Sequence, residues 1–144
     1  MTITKLTATA TAIVLTLGLL PAHAGSNRVI VQQWGHDNAG ALAQSGHHQR
    51  VTITQRGRSN LSLSTQDGAR NRVVVGQDGR GNVADTAQSG RRNIAGVAQF
   101  GRHHDATVVQ SGHRNAVGVI QTGHGNTATT TQHGTGNVTV IIQD

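Results

Sequence analysis

Glutamine returns every eleven residues through almost the whole of this chain, and that period limits what it can fold into. The series runs Gln33, Gln44, Gln55, Gln66, Gln77, Gln88, Gln99, Gln110, Gln121, Gln132 and Gln143, without an insertion or a deletion. A glycine follows two residues after the first ten: Gly35, Gly46, Gly57, Gly68, Gly79, Gly90, Gly101, Gly112, Gly123 and Gly134. Six residues before each glutamine stands an amide: Asn27, Asn38, Gln49, Asn60, Asn71, Asn82, Asn93, Asn115, Asn126 and Asn137, with His104 in that place once. A fixed short period marks a repeat architecture, in which each unit is stable only against its neighbours.

An eleven-residue period fits two backbones. As a helix it gives about 3.67 residues per turn, the right-handed hendecad. That reading needs helix formers, but each unit carries glycine, asparagine and β-branched residues, and there is no glutamate to pair with arginine along a helix face. As a strand the unit reads as seven residues from amide to glutamine, followed by a four-residue x-Gly-x-x turn. Alternation then puts the amide, the residues four and two before Gln, and Gln itself on one side. The middle pairs include Val29/Val31, Val51/Ile53, Val73/Val75 and Val117/Val119, and none of them is charged. Arg28, Arg50, Arg72, Asp85 and Asp105 fall on the other side, so the uncharged face is the interior. One unit inverts the pattern: Leu61 and Leu63 point out and Ser62 and Ser64 point in, a locally weakened rung. The prediction is all-β: a two-sheet β-solenoid of eleven 11-residue strand-turn units, 22 residues to a rung. The stack is about 26 Å tall at about 4.8 Å per rung. Inward amides then lie above their counterparts and hydrogen-bond along the stack, which is how polar groups survive in a dry interior.

Composition agrees with a repeat fold and excludes much else. One tryptophan, one phenylalanine and no tyrosine cannot fill an ordinary globular core, and with no cysteine there are neither disulfides nor thiolate metal sites. The first 24 residues stand apart. Lys5, an apolar or small run from Ala8 to Leu20, and Ala22-His23-Ala24 form a secretory signal peptide, with residues 25–144 as the repeat domain. The apolar run is too short to span a bilayer, and no other segment is a candidate. Residues 25–144 carry eleven arginines against six aspartates.

No catalytic constellation emerges. The aspartates fall in turns or on outward positions, no paired carboxylates occur, and no Ser-His-Asp set follows from the register. An enzyme is not expected, and no cofactor is implied. The paired histidines His47-His48 and His103-His104 are the candidates for divalent metal, against a plain reading as exposed turn residues. Asn60 and Asn137 fall in glycosylation sequons by chance, because both face inward. Trp34 and Phe100 each follow a repeat glutamine on one solenoid edge, placed for sugar stacking or for packing between fibres.

The pattern Gln-x-Gly-x-x-Asn, with inward small residues and a closing Gln, resembles the curlin repeat over Asn27 to Gln143. Curlins are the subunits of curli, the extracellular amyloid fibres of bacterial biofilms. The resemblance implies a cross-β subunit secreted unfolded, which polymerises with itself on the cell surface. It also implies two partners, a nucleator subunit and an outer-membrane secretion channel. Only Gly25 and Ser26 separate the leader from the first strand, where familiar curlins carry a further non-repeat segment.

Two surfaces follow from the register. The last strand is apolar outward at Val138, Val140 and Ile142, and residues 25–144 contain neither proline nor lysine, the usual guards of a sheet edge. This strand is the expected polymerisation edge, its half-built rung completed by residues 27–33 of the next subunit. On one long edge the residues after the turn glycines read His36, Arg58, Arg80, Arg102, His124, a column expected to bind extracellular DNA or acidic polysaccharide. Histidine protonation in acid adds charge to the same column. The rival to a fibre is a secreted monomeric solenoid that binds polyanions, ice or another surface. Regular Thr-x-Thr columns would support it, and they occur only at Thr52/Thr54 and Thr127/Thr129/Thr131.

Overall fold

The computed structural model describes residues 26–144 and two short strands before them, β1 (Thr2–Ile3) and β2 (Ile13–Thr16). The rest of the signal-peptide reading lies outside the described residues. Eleven strands follow: β3 (Arg28–His36), β4 (Ala39–His47), β5 (Arg50–Arg58), β6 (Leu61–Ala69), β7 (Arg72–Arg80) and β8 (Val83–Arg91). Then come β9 (Ile94–Arg102), β10 (Asp105–His113), β11 (Ala116–His124), β12 (Thr127–Thr135) and β13 (Val138–Gln143). Odd strands make one sheet, in the order β1-β3-β5-β7-β9-β11-β13, and even strands make the other, β12-β10-β8-β6-β4-β2. All pairing is parallel. From β3 on, each residue sits beside the one 22 positions later, as in Val29↔Val51 and Gln88↔Gln110. β1 and β2 pair with β3 and β4 out of that phase, at Thr2↔Arg28 and Ile13↔Ala39. The fold is the all-β, two-sheet solenoid that the period predicts.

The interior is a thin apolar layer. Val29, Val31, Leu42, Val51, Ile53, Val73, Val75, Ala84, Ala95, Val97, Ala106, Val108, Val117, Val119 and Ala128 form one cluster, with Ile141 packed against it. Ser62 and Ser64 are buried where β6 crosses this layer. The Ser64 hydroxyl meets that of Thr86 at 2.8 Å, but Ser62 Oγ has no partner.

One boundary differs from the sequence reading. Strands β3 to β12 run nine residues and the reversal takes two, where the spacing had suggested seven and four. The ladder continues past each glutamine because the glycine stays in register with glycines above and below, as Gly57↔Gly79 shows. The chain turns instead at the next-but-one residue, which adopts a left-handed conformation, and at the amide after it. Asp37, His48, Ser59, Arg70, Arg92, His103 and Arg114 hold that left-handed seat at φ 57–60°. The amides therefore sit at the corners and not within strands.

Candidate functional site

The glutamines form two unbroken ladders. In the odd sheet each Nε2 donates to the Oε1 one rung on, through Gln33, Gln55, Gln77, Gln99, Gln121 and Gln143, at 2.5–2.9 Å. In the even sheet Gln44, Gln66, Gln88, Gln110 and Gln132 do the same at 2.7–2.9 Å. In most of them Nε2 also donates across the interior to a main-chain carbonyl of the opposite sheet, as from Gln99 to Val83 at 2.8 Å and from Gln121 to Asp105 at 3.0 Å. Within the stack each ladder oxygen therefore has a donor, as burial at this depth requires, and only at the end of the ladder is Gln33 Oε1 left unpaired.

The corner amides work differently. Asn60 Nδ2 reaches Asn38 Oδ1, but the recurring bonds go to main chain. Most asparagines donate from Nδ2 both to the carbonyl four residues before and to the glycine carbonyl of the adjoining coil, while Asn82 keeps only the glycine bond and Asn126 and Asn137 only the one four residues back. Asn71 bonds Asp67 and Gly90, Asn93 bonds Ser89 and Gly112, and Asn115 bonds Ser111 and Gly134, all at 2.9–3.2 Å. The asparagine Oδ1 accepts the main-chain N–H of the next amide in the column, as Asn82 does from His104 at 3.1 Å. The glycine and the asparagine of the motif are thus the two halves of one clasp. Their fixed spacing was visible in the sequence; that the clasp closes on main chain between coils was not. Asn27 and Gln143 at the ends are part-buried and Asn137 is exposed, because no further rung covers it.

Two positions depart from the pattern. Gln49 keeps its donor bonds to Ser45 and Gly68, but its buried Oε1 is unpaired and does not reach the N–H of Asn71. The extra methylene carries the oxygen past its target. His104 substitutes well: buried, it accepts the Asn126 N–H at Nδ1 (3.2 Å), which leaves its proton on Nε2, 3.3 Å from the Phe100 carbonyl. Both ring nitrogens are therefore engaged in the corner. His103 beside it is exposed and stacks edge-on with His124 at 5.5 Å, as His47 does with His48 at 5.3 Å. Among the described residues no three His, Cys, Asp or Glu side chains gather as a metal site.

The curlin associated repeat profile matches three stretches of this solenoid, residues 50–79, 79–112 and 105–134. The chain belongs to the curlin-repeat family. Comparison with curated proteins finds no match. The matched curlin repeats span β5 to β12, the stretch in which both the glutamine ladders and the corner clasps recur.

The two long corners of this curlin solenoid are chemically unlike. Where odd strands pass to even ones, His36, Arg58, Arg80, Arg102 and His124 stack in register. Asp37, Asp78 and Asp105 share that corner, as do Trp34 and Phe100. The Arg56 guanidinium lies over the Trp34 ring, 5.1 Å from its centre. Where even strands pass to odd ones stand Arg28, Arg50, Arg70, Arg72, Arg91, Arg92 and Arg114, all exposed, with Asp67 the one carboxylate. At the C-terminal end, among the described residues, β13 pairs only with β11. Val138, Val140 and Ile142 turn outward from it, 65–73 % exposed, while Thr139, Ile141 and Gln143 face the interior.

Proposed function

We propose that this chain is a secreted structural subunit that polymerises by strand addition into curli-type extracellular amyloid fibres, for adhesion and matrix formation on a bacterial surface. The observation that carries the reading is the interchangeability of the rungs. Each offers the next the same glutamine ladder, the same clasp and the same parallel main-chain edge. A second copy stacked on β12 and β13 meets what an interior strand meets, and in-register identical stacking is the basis of cross-β stability. Repeat modules that stay monomeric protect their ends. Here the terminal strand carries no proline, lysine or bulge, and β13 is apolar outward.

Export through a cleaved leader fits this reading. Cleavage after Ala24 strips β1 and β2 from β3 and β4 and so opens the N-terminal edges as well. A secretion channel and a nucleating subunit are the partners that the family supplies for such a chain. The family and the solenoid are structural, and the role is assembly.

The test is assembly of the chain from Gly25 at micromolar concentration in physiological buffer. The expected result is a growing thioflavin signal and fibre diffraction at about 4.8 and 10 Å. A chain that stays monomeric for days overturns the proposal.

A further inference from the structure

We propose that the arginine-rich corner, where even strands pass to odd ones, is a binding furrow for an acidic polysaccharide laid along the solenoid axis. The furrow is complete within one chain and does not depend on polymerisation.

Two open concavities follow one another along this corner and share Arg70. The first, of about 680 Å3, is walled by Arg28, Arg50 and Arg72 at the strand starts and by His48 and Arg70 on the turns. The second, of about 330 Å3, continues it past Arg92 and Arg114. The strand-start arginines line the first stretch and the turn arginines the second, the two rows meeting at Arg70 and Arg72. Within a row the spacing is one rung, about 4.8 Å. That is inside the screening length of about 8 Å at physiological salt, so the like charges repel and a bound anion relieves them.

The backbone gives independent support. Arg70, Arg92 and Arg114 all occupy the left-handed seat, at φ 57–60°. Glycine takes that seat without strain at Gly81 and Gly125 on the other corner and at Gly136 on this one. An arginine there costs about 1–2 kcal/mol against glycine, and strain of this kind collects where function holds it. On the other corner the seat is filled by Asp37, Ser59 and His103 and otherwise by glycine; only here do three consecutive coils place arginine in it.

The class of ligand follows from what the furrow lacks. Trp34 and Phe100 both lie on the opposite corner, so the large aromatic rings that best stack the bases of a single-stranded nucleic acid are not on this one. A DNA duplex presents its phosphates on two ridges winding about a cylinder and meets a straight line of arginines only where a ridge crosses it. A single extended chain of sugar acids offers carboxylates along its whole length, each suited to a guanidinium fork. The opposite corner, with Asp37, Asp78 and Asp105 among its arginines, offers no comparable field.

The experiment is alginate binding by the full chain between about 50 and 200 mM salt. Two triple variants address the furrow: Arg70→Gly/Arg92→Gly/Arg114→Gly, which suits the left-handed seats, and Arg28→Gln/Arg50→Gln/Arg72→Gln, which leaves them untouched. A third, Arg58→Gln/Arg80→Gln/Arg102→Gln, removes equal charge from the other corner. Each furrow triple is expected to weaken binding about tenfold or more and to flatten the salt dependence by about two log units per decade. The third is expected to change it less than about threefold. Far-UV circular dichroism checks the fold, and if one furrow triple is unfolded the other decides. Equal losses from both corners overturn the proposal, as does retention that ignores salt. Tighter binding of oligothymidylate than of alginate overturns it in favour of nucleic acid.

Discussion

A single pair of alanine substitutions, three residues apart in one strand, tests whether the repeat glycines are corner hardware or merely small. At Gly79 the backbone has φ +128°, and an added Cβ would lie 1.9 Å from the carbonyl oxygen of Gly101 and 2.9 Å from its carbon. Both atoms are main chain of the next coil, so no side chain can swing aside. To restore ordinary contact the two corners must part by about 1.5 Å, which breaks the 3.2 Å bond from Asn82 Nδ2 to the same oxygen. A non-glycine residue held in that backbone region costs about 1–3 kcal/mol, and the lost clasp about 1 more. At Gly76 the added Cβ meets nothing within 4 Å, and the backbone is ordinary strand. Alanine there gains about 0.5–1 kcal/mol by losing less entropy on folding. Gly79→Ala is therefore expected to fall about 3–5 kcal/mol below Gly76→Ala. Urea unfolding followed by circular dichroism reads this as a midpoint difference of about 1–3 M. Two variants within about 0.5 kcal/mol of each other would refute the clasp argument.

Other substitutions probe the polar interior. Gln49→Asn shortens the side chain to reach the Asn71 N–H and removes the unpaired Oε1; a gain of about 1 kcal/mol is expected in the same unfolding assay, and a loss would count against the reading. Gln99→Leu takes the donor from the buried Gln121 Oε1 and from the Val83 carbonyl and should cost about 2–4 kcal/mol, whereas outward Gln32→Leu should change stability by less than about 0.5. Ser62→Ala deletes a buried hydroxyl with no partner and is expected to stabilise by about 1 kcal/mol; destabilisation would show that the hydroxyl is satisfied in solution.

The sequence by itself determined the architecture, because an uninterrupted period of eleven leaves the chain no freedom of register. A slip of one residue would bring Arg50 and Arg72 inward and put Val51 and Val73 in water. The same alternation placed Ser62 and Ser64 inside against their polarity, since glutamine and glycine on either side hold the phase. The glutamine column was legible too, because an inward residue repeated each rung has only its own copies above and below. What the tertiary structure decided lies at the corners. Strand length, the left-handed seats of Arg70, Arg92 and Arg114, and the asparagine bonds to the adjoining coil's glycine depend on how two coils approach. That approach is a matter of main-chain distance, which a one-dimensional spacing does not contain. For charge, the 22-residue rung already assigns alternate turns to opposite edges. What the structure adds is that Arg28, Arg50 and Arg72 at the strand starts adjoin the turn arginines Arg70, Arg92 and Arg114 in two successive concavities, because the close approach of the coils brings strand starts and turns together.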